Sequence, residues 1–557
     1  MDEKTKFFEP LVSGKTGKAP GHPSTTGDAP VAALGRSERP RVLPLQFLVP
    51  SVRDFIFIFL LWSLLAGALS SRPLADPDIG WHIRTGELIL ATHSLPRTDP
   101  FSSTMHGQPW FAWEWLYDAA LGVLYRACGL NGVVWLCAVI VATTFTFLLS
   151  QLLKRGTGLL PAIVLMLLAE AAATIHLFAR PHIVSWLFAL AWFVALERWE
   201  SGDVPRWLPW FFPASTLLWV NLHGEWLFGF ALLGIYILAA IGTFLRATDP
   251  FVALRAWHRA RGMVVAGAAS GLATFANPFG WHLHAHIYRY LSDRYLMNRI
   301  SEFRSPDFHG WAQRCFVMIL LLTFLAFAGH RRKVSLSRFF VVLFAVYTGL
   351  LSSRNLPVSS MLMVLVAGPL LWESLVSLAD RSGAWKGLRV VTRRIVKFSG
   401  RMGAQELSLR GHGWAVISAV VALAVCLHGG SLGSRQMIDA HFDANRVPVA
   451  AVDFLERESS ATPVFSTDSW GGYIIYRLYP SRLVVVDDRH DLYGSDRIRD
   501  VLVLMQGEPG WRDMLEKWQI QTILLSPNST LANLLRELPR DWRVSYEDKV
   551  AVVYERR

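Results

Sequence analysis

The chain has 557 residues, of which 52% are hydrophobic and only 18% charged, with 23 tryptophans. That balance excludes an ordinary soluble protein and points to a membrane protein with more than one domain. The net charge of +12 raises nucleic acid as a partner, but the bases lie in short loops between apolar runs, as membrane orientation requires, so no nucleic acid is expected. The four cysteines, Cys128, Cys137, Cys315 and Cys426, sit within or beside apolar segments without ligand spacing, which argues against a disulfide framework.

Residues 1–50 read as a disordered cytoplasmic tail rich in Gly, Pro, Ser and Thr, and no cleavable signal peptide is evident. Apolar stretches then fall near 53–71, 131–153, 159–178, 183–198, 207–222, 226–245, 262–278, 313–329, 338–352, 356–378 and 413–430. These are about eleven transmembrane helices, forming a mainly α, polytopic bundle over 51–430 with a large first outer loop at 72–130. Lys154 and Arg155, then Arg246, Arg255, Arg259 and Arg261, then Arg331, Arg332, Lys333 and Arg338 fall on the N-terminal side of the membrane. So does the basic loop from Arg381 to Arg410, which makes that side cytoplasmic.

The opposite helix ends should then carry the remaining unusual polar residues. Asp76-Pro77-Asp78-Ile79-Gly80-Trp81-His82 follows the first helix, and Arg180-Pro181-His182 caps the third. Asn221, His223 and Glu225 join the fifth and sixth. Asn277-Pro278 with His282, His284 and His286, and then Glu302 and Asp307, follow the seventh; Arg354-Asn355 follows the ninth. Ionisable groups at the membrane edge are costly unless solvated or paired, so one outward-facing site built from several helix ends is expected. The competing structural reading of Asp78 is a helix N-cap before Ile79.

Within the first outer loop, 79–91 reads as a weakly amphipathic helix. Residues 113–127 form a clearer one, with an apolar stripe of Leu116, Ala120, Val123 and Leu124 and with Glu114, Asp118 and Tyr125 elsewhere on its surface. It is about 18 Å long, too short for a ~30 Å core, and reads as interfacial, with Trp110, Phe111, Trp113 and Trp115 in the headgroup layer.

From 431 to 557 strands at Val464-Phe465, Leu483–Val486, Thr522–Leu525 and Val550–Val553 alternate with helices at 449–458, 496–505, 511–517 and 530–538. This is a C-terminal extracytoplasmic α/β domain. Asp487-Asp488-Arg489-His490-Asp491 follows a strand and reads first as a solvated loop, second as a site. Gly471-Gly472 is too little for a phosphate loop.

The order of motifs resembles a group of bacterial membrane proteins associated with the GT-C glycosyltransferases, which include protein O-mannosyltransferases, aminoarabinose transferases and rhizobial lipopolysaccharide sugar transferases. The resemblance covers the chain from residue 50 and rests on DPDIGWHIRTGELIL, LPRTDPFSSTMHGQPWFAWEWL, ARPHIVSWLF, WVNLHGEWLFGF, ANPFGWH, EFRSPDF, SRNLP, WGGYIIYRL and VVVDDRHDLYG. It implies a bacterial inner-membrane enzyme that moves a sugar, with inversion, from a polyprenyl-phosphate donor to an envelope glycan, lipid or protein acceptor. It further implies an acidic first-loop residue as general base, here Asp78 or Asp76. His82, Glu114, Arg180, His182, Asn221, His223, Glu225, Glu302, Arg354 and Asn355 are the candidate substrate contacts, with Arg180 and Arg354 directed at phosphate. Some oligosaccharide-transferring GT-C enzymes use a divalent metal, and His223 and Glu225 with His82 are weak candidate ligands, so the metal stays unassigned. The alternatives are a transporter or flippase of lipid-linked glycans, and an inactive GT-C-like scaffold.

Overall fold

A computed structural model describes residues 46–329, 334–380, 385–409, 411–458 and 460–557. Of the tail expected over 1–50, residues 1–45 lie outside the described residues, as do Arg331, Arg332, Lys333, Arg381 and Arg410, while Gln46–Leu48 forms a single 3-10 turn. In chain order the helices are α1 (Val52–Leu65), α2 (Ile79–Thr92), α3 (Trp115–Cys128), α4 (Leu130–Lys154), α5 (Leu159–Ala173), α6 (His182–Glu200), α7 (Leu208–Leu222) and α8 (Trp226–Arg246). They continue as α9 (Pro250–Ala273), α10 (Trp281–Ser292), α11 (Arg294–Arg299), α12 (Trp311–Gly329), α13 (Leu336–Leu351), α14 (Leu356–Asp380), α15 (Lys386–Ser408) and α16 (Gly413–Leu427).

All eleven expected apolar stretches are helices. Among the described residues, five are long and apolar enough to cross a membrane by themselves: α4, α5 continued to His176, α8, α12 and α14 with the turn before it. A sixth arises if α15 and α16, bent by 71°, count as one. The chain is a multi-pass membrane protein. Central α4 packs against α1, α6 and α16, while α14 packs against α5, α12 and α13. A capping box fixes the entry to α1: Asp54 N donates to Ser51 Oγ and Ser51 N to Asp54 Oδ2, both at 3.1 Å. Next to it, buried Arg53 donates to Glu406 at 2.8 Å, tying α1 to α15.

Two basic runs expected as loops are helical. Arg255, Arg259 and Arg261 belong to α9, which starts at Pro250 behind the N-cap Asp249. The bases from Lys386 to Arg401 lie on amphipathic α15, where Thr392, Ser399, Gly403 and Glu406 make the buried face. Counting charge hid the helical spacing of these bases.

The tail opens with a small hairpin, β1 (Ser431–Leu432) and β2 (Arg435–Gln436), followed by α17 (Val449–Arg457), β3 (Val464–Ser466), α18 (Asp468–Leu478), α19 (His490–Gln506) and α20 (Trp511–Lys517). It ends with β4 (Thr522–Leu525), α21 (Thr530–Arg536), β5 (Trp542–Glu547) and β6 (Val552–Arg556). The sheet order is β3-β4-β6-β5, with β3 and β4 parallel and the other pairs antiparallel. The α/β expectation holds with three changes. Leu483–Val486 is not a strand: Val484 alone bridges Val464 on one side and Ser102 of the first loop on the other. The helices α18 and the first turn of α19, and the strand β5, were not foreseen. Gly494 (φ 66°) kinks α19, which is why only its later part carries a clean helical pattern.

Candidate functional site

Two close backbone approaches build the site. Helices α2 and α3 cross at Gly86 and Gly122: a Cβ on Gly86 would collide with the Asp118 carbonyl, and one on Gly122 with the Gly86 backbone. This crossing brings His82 Nδ1 to 2.7 Å from Asp118 Oδ1, both side chains almost fully buried. A second approach docks the tail. A Cβ on Gly472 of α18 would strike Asp78 Cα and the Pro77 carbonyl, and one on Gly80 would strike the Gly472 carbonyl. The Gly-Gly pair therefore serves packing.

The Asp487–Asp491 stretch, read first as a solvated loop, is instead buried and divided in function. Arg489 binds Asp487 at 2.6 Å and first-loop Asp99 at 2.8 Å, and stacks 4.7 Å over Trp110. Tyr493 donates to Asp487 at 2.9 Å. These residues bolt the tail to the first loop, and they account for Trp110, which is 4% exposed and does not lie in the headgroup layer. Asp488, His490 and Asp491 face a cavity instead.

That cavity has a volume of about 540 Å³. It is lined by the polar side chains of Glu114, Asp118, Arg180, His223, Glu225, Arg354, Asn355, Asp488, His490 and Asp491, by the apolar ones of Leu227, Phe228, Ile287, Leu291, Phe303 and Leu351, and by Trp81, Trp110 and Trp113. Asp76 and Asp78 are not in the lining but pair with Arg180, which is. Its Nη1 donates to Asp76 Oδ2 at 2.7 Å, Asp78 Oδ2 at 3.1 Å and Glu302 Oε1 at 3.3 Å, and its Nη2 lies 3.9 Å from Asp488 Oδ2. Asp78 occupies the N-cap position of α2, but its side chain makes no cap hydrogen bond, so the N-cap reading fails.

Asp78 Oδ1 is buried without a donor. The Asp488 carboxylate approaches the same guanidinium, its Oδ2 lying 3.9 Å from Arg180 Nη2, so two buried acids face one cation. Burial, followed by the charges of Asp488 and Asp76, pushes Asp78 well above the usual carboxylate range, and burial raises Asp488 as well. Trp81 Nε1 donates to Asp488 Oδ1 at 3.0 Å and holds the pair in place.

Arg354 forms the adjoining centre, donating to Glu225 at 2.8 Å, Glu302 at 2.9 Å and His223 Nε2 at 2.9 Å. His223 Nε2 is therefore the acceptor, and its Nδ1–H donates to Ser185 Oγ at 2.8 Å. Burial, then Arg354, keeps His223 neutral by lowering its pKa. Burial also raises Glu302, but Arg180 and Arg354 outweigh it and hold that carboxylate well below its ordinary value. Glu114 lies 3.5 Å from His223 and 3.9 Å from His82, and burial pushes it up to about 8 against the opposing pull of Arg180 and Arg354.

The structure thus brings Asp76, Asp78, His82, Glu114, Arg180, His223, Glu225, Glu302, Arg354 and Asn355 to one end of the helices. It leaves four expected contacts, His82, His182, Asn221 and Glu302, outside the cavity lining. His182 is hydrogen-bonded to the His176 carbonyl at 2.8 Å, and Asn221 accepts from Trp115 Nε1 at 2.8 Å while donating to the Leu217 and Ala276 carbonyls. Asp307 is exposed beside His309. Asp118 was placed on the solvated side of α3, yet it is fully buried, whereas Val123 of the apolar stripe is 54% exposed. The polar face packs on α2, a partner the stripe could not reveal. Among the described residues no group of three or more His, Cys, Asp or Glu is arranged to hold a metal ion.

This architecture is shared with solved membrane proteins. The chain is similar to the oligosaccharyltransferase AglB from Archaeoglobus fulgidus in complex with an inhibitory peptide and a dolichol-phosphate, with TM-score 0.50 and 12% identity over 85% of this chain and 69% of that one. It is also similar to ArnT from Cupriavidus metallidurans bound to undecaprenyl phosphate, with TM-score 0.45 and 14% identity over 92% of this chain and 98% of that one. Neither a protein-family profile nor a curated protein matches the chain. At 12% identity the likeness to the oligosaccharyltransferase shows the fold alone.

Proposed function

We propose that the chain is a membrane glycosyltransferase that moves a sugar from a polyprenyl-phosphate donor to a hydroxyl-bearing envelope glycan, lipid or protein, with inversion, on the outer face of a bacterial inner membrane. The observation that carries this reading is the gathering of Asp76, Asp78 and Asp488 on Arg180, which lines a cavity shared with the apolar side chains of Leu227, Phe228, Ile287 and Leu291. A fold alone does not give an activity, so the argument rests on that site. The dolichol-phosphate and peptide held by the oligosaccharyltransferase of the same fold support a lipid-linked donor and a separate acceptor.

In this mechanism the acceptor oxygen attacks the anomeric carbon and its proton passes to the Asp78–Asp488 pair, with Asp78 as base and Asp488 as the partner at the cavity wall. Asp76 orients Asp78 through their shared Arg180. The bond from the anomeric carbon to the phosphate oxygen breaks with its electron pair on that oxygen. Arg354 supplies the charge that receives it, because a planar guanidinium suits phosphate and sits ready before charge develops. The tryptophans offer apolar faces to the sugar, and Leu227, Phe228, Ile287, Leu291 and Leu351 offer a wall to the first prenyl units. Neutral Glu114 hydrogen-bonds a substrate hydroxyl, and His223, held between Arg354 and Ser185, fixes the direction of that guanidinium.

The test is turnover by purified protein in lipid, offered a panel of radiolabelled polyprenyl-phosphate sugars. Release of polyprenyl phosphate coupled to glycosylation of an acceptor supports the reading. No release with any donor, from a folded protein, moves the assignment to a flippase or a scaffold.

A further inference from the structure

We infer that Arg180 is the resident cation of the acidic cluster formed by Asp76, Asp78, Glu302 and Asp488, standing where a divalent metal would otherwise be held. The inference goes beyond the proposed reaction and holds whatever that reaction is.

Four carboxylates from three separate parts of the chain converge on one guanidinium. Asp76 and Asp78 come from the first loop, Glu302 from the turn after α11 and Asp488 from the tail. Such a gathering of buried negative charge folds only if a cation is present or protons are taken up. Here Arg180 supplies the cation, lying within 3.3 Å of three of the carboxylates.

The guanidinium is built in. The residue before it is clamped from both sides, with Ala179 N donating to the Pro73 carbonyl at 2.8 Å and Tyr117 Oη donating to the Ala179 carbonyl at 3.0 Å. Arginine keeps its charge at every accessible pH, so the cation cannot be switched off. The carboxylate oxygens are spread around a planar fork. They do not converge on one point at the roughly 2.0–2.6 Å that oxygen ligands of Mg²⁺ or Ca²⁺ require, in keeping with the absence of a metal-holding group among the described residues. A divalent ion entering the cluster would have to displace a fixed positive charge a few ångströms away. The residues therefore do not fit a metal, and Arg180 is a positioning residue that fixes the directions of Asp76 and Asp78.

The experiment is Mn²⁺ binding to the full chain in lipid nanodiscs, followed by electron paramagnetic resonance of the free ion after chelator treatment. The wild type is expected to bind the same amount of Mn²⁺ as Asp76→Asn, that is, none at the cluster. Arg180→Gln, which uncovers the carboxylates, is expected to gain one bound Mn²⁺ per chain, lost again in Arg180→Gln with Asp76→Asn. Uptake of Mn²⁺ by the wild type that Asp76→Asn abolishes would overturn the inference, and this comparison stands even where Arg180→Gln does not fold. A folded Arg180→Gln that gains no Mn²⁺ would overturn it equally.

Discussion

Asp78 and Asp488 lie far apart in the sequence, one in the first loop and one in the tail, yet both carboxylates meet on the Arg180 guanidinium, at 3.1 Å and 3.9 Å. The contact makes a pH prediction. Asp488 is a cause of the raised Asp78 pKa, second only to burial, so removing its charge lowers that pKa. A base with a lower pKa is free at lower pH. Asp488→Asn is therefore expected to move the acid limb of the pH–rate profile to lower pH, with a smaller maximal rate. An unmoved limb would separate the two groups functionally.

Glu114 gives a stability prediction with the sign of a raised carboxyl. Its folded value of about 8 exceeds the ordinary 4.5, so the folded state holds a proton that the unfolded chain releases. Its contribution is fully present at low pH and is lost as pH rises from about 4.5 through 8. Glu114→Gln, which cannot ionise, should match the wild type near pH 5 and exceed it at pH 8, by an amount on the order of a few kcal/mol at most. Thermal unfolding in lipid at both pH values checks this, and an equal difference at the two contradicts it.

The docking of the tail rests on a backbone contact that a single methyl group disrupts. Gly472→Ala places a Cβ against Asp78 Cα and the Pro77 carbonyl, and backbone cannot yield as a side-chain tip can. Turnover should fall at least tenfold, and a protease should cut more readily near the hairpin that leads into the tail. Gly271→Ala in α9 meets open space and is the matched control, with no expected effect.

Arg489 is the electrostatic bolt of the same interface, 1% exposed between Asp487 and Asp99. Truncating one partner of a buried ion pair leaves the others uncompensated, at a cost of about 3–5 kcal/mol. Arg489→Ala is expected to lower the unfolding temperature and loosen the tail, measured by hydrogen exchange over Phe101–Trp110. Unchanged protection there would remove the bolt.

The membrane part was readable in the sequence because long apolar runs have few alternatives to helix, and because charged groups at helix ends are too costly to be scattered. Asp76, Asp78, Arg180, His223 and Arg354 were found on that ground. What was missed involves neighbours distant in the chain. The apolar stripe of α3 predicted one partner, whereas Gly86 and Gly122 admit α2 on the other face and bury Asp118. Asp488 looked solvated because the cation it approaches, Arg180, is distant in the chain. Its position directly after an apolar run was the available signal. The strand expected at Leu483–Val486 failed for a related reason: Val484 pairs with the first loop as well as with β3.

The most direct test of the account compares sugar transfer by the wild type, Asp78→Asn, Asp76→Asn and Asp488→Asn, each purified in lipid and shown to be folded. The account predicts loss of at least a hundredfold in turnover for Asp78→Asn, an equal or smaller loss for the other two, and little change in donor binding for any. Full turnover by Asp78→Asn would contradict it, because the acceptor's proton would then have gone elsewhere.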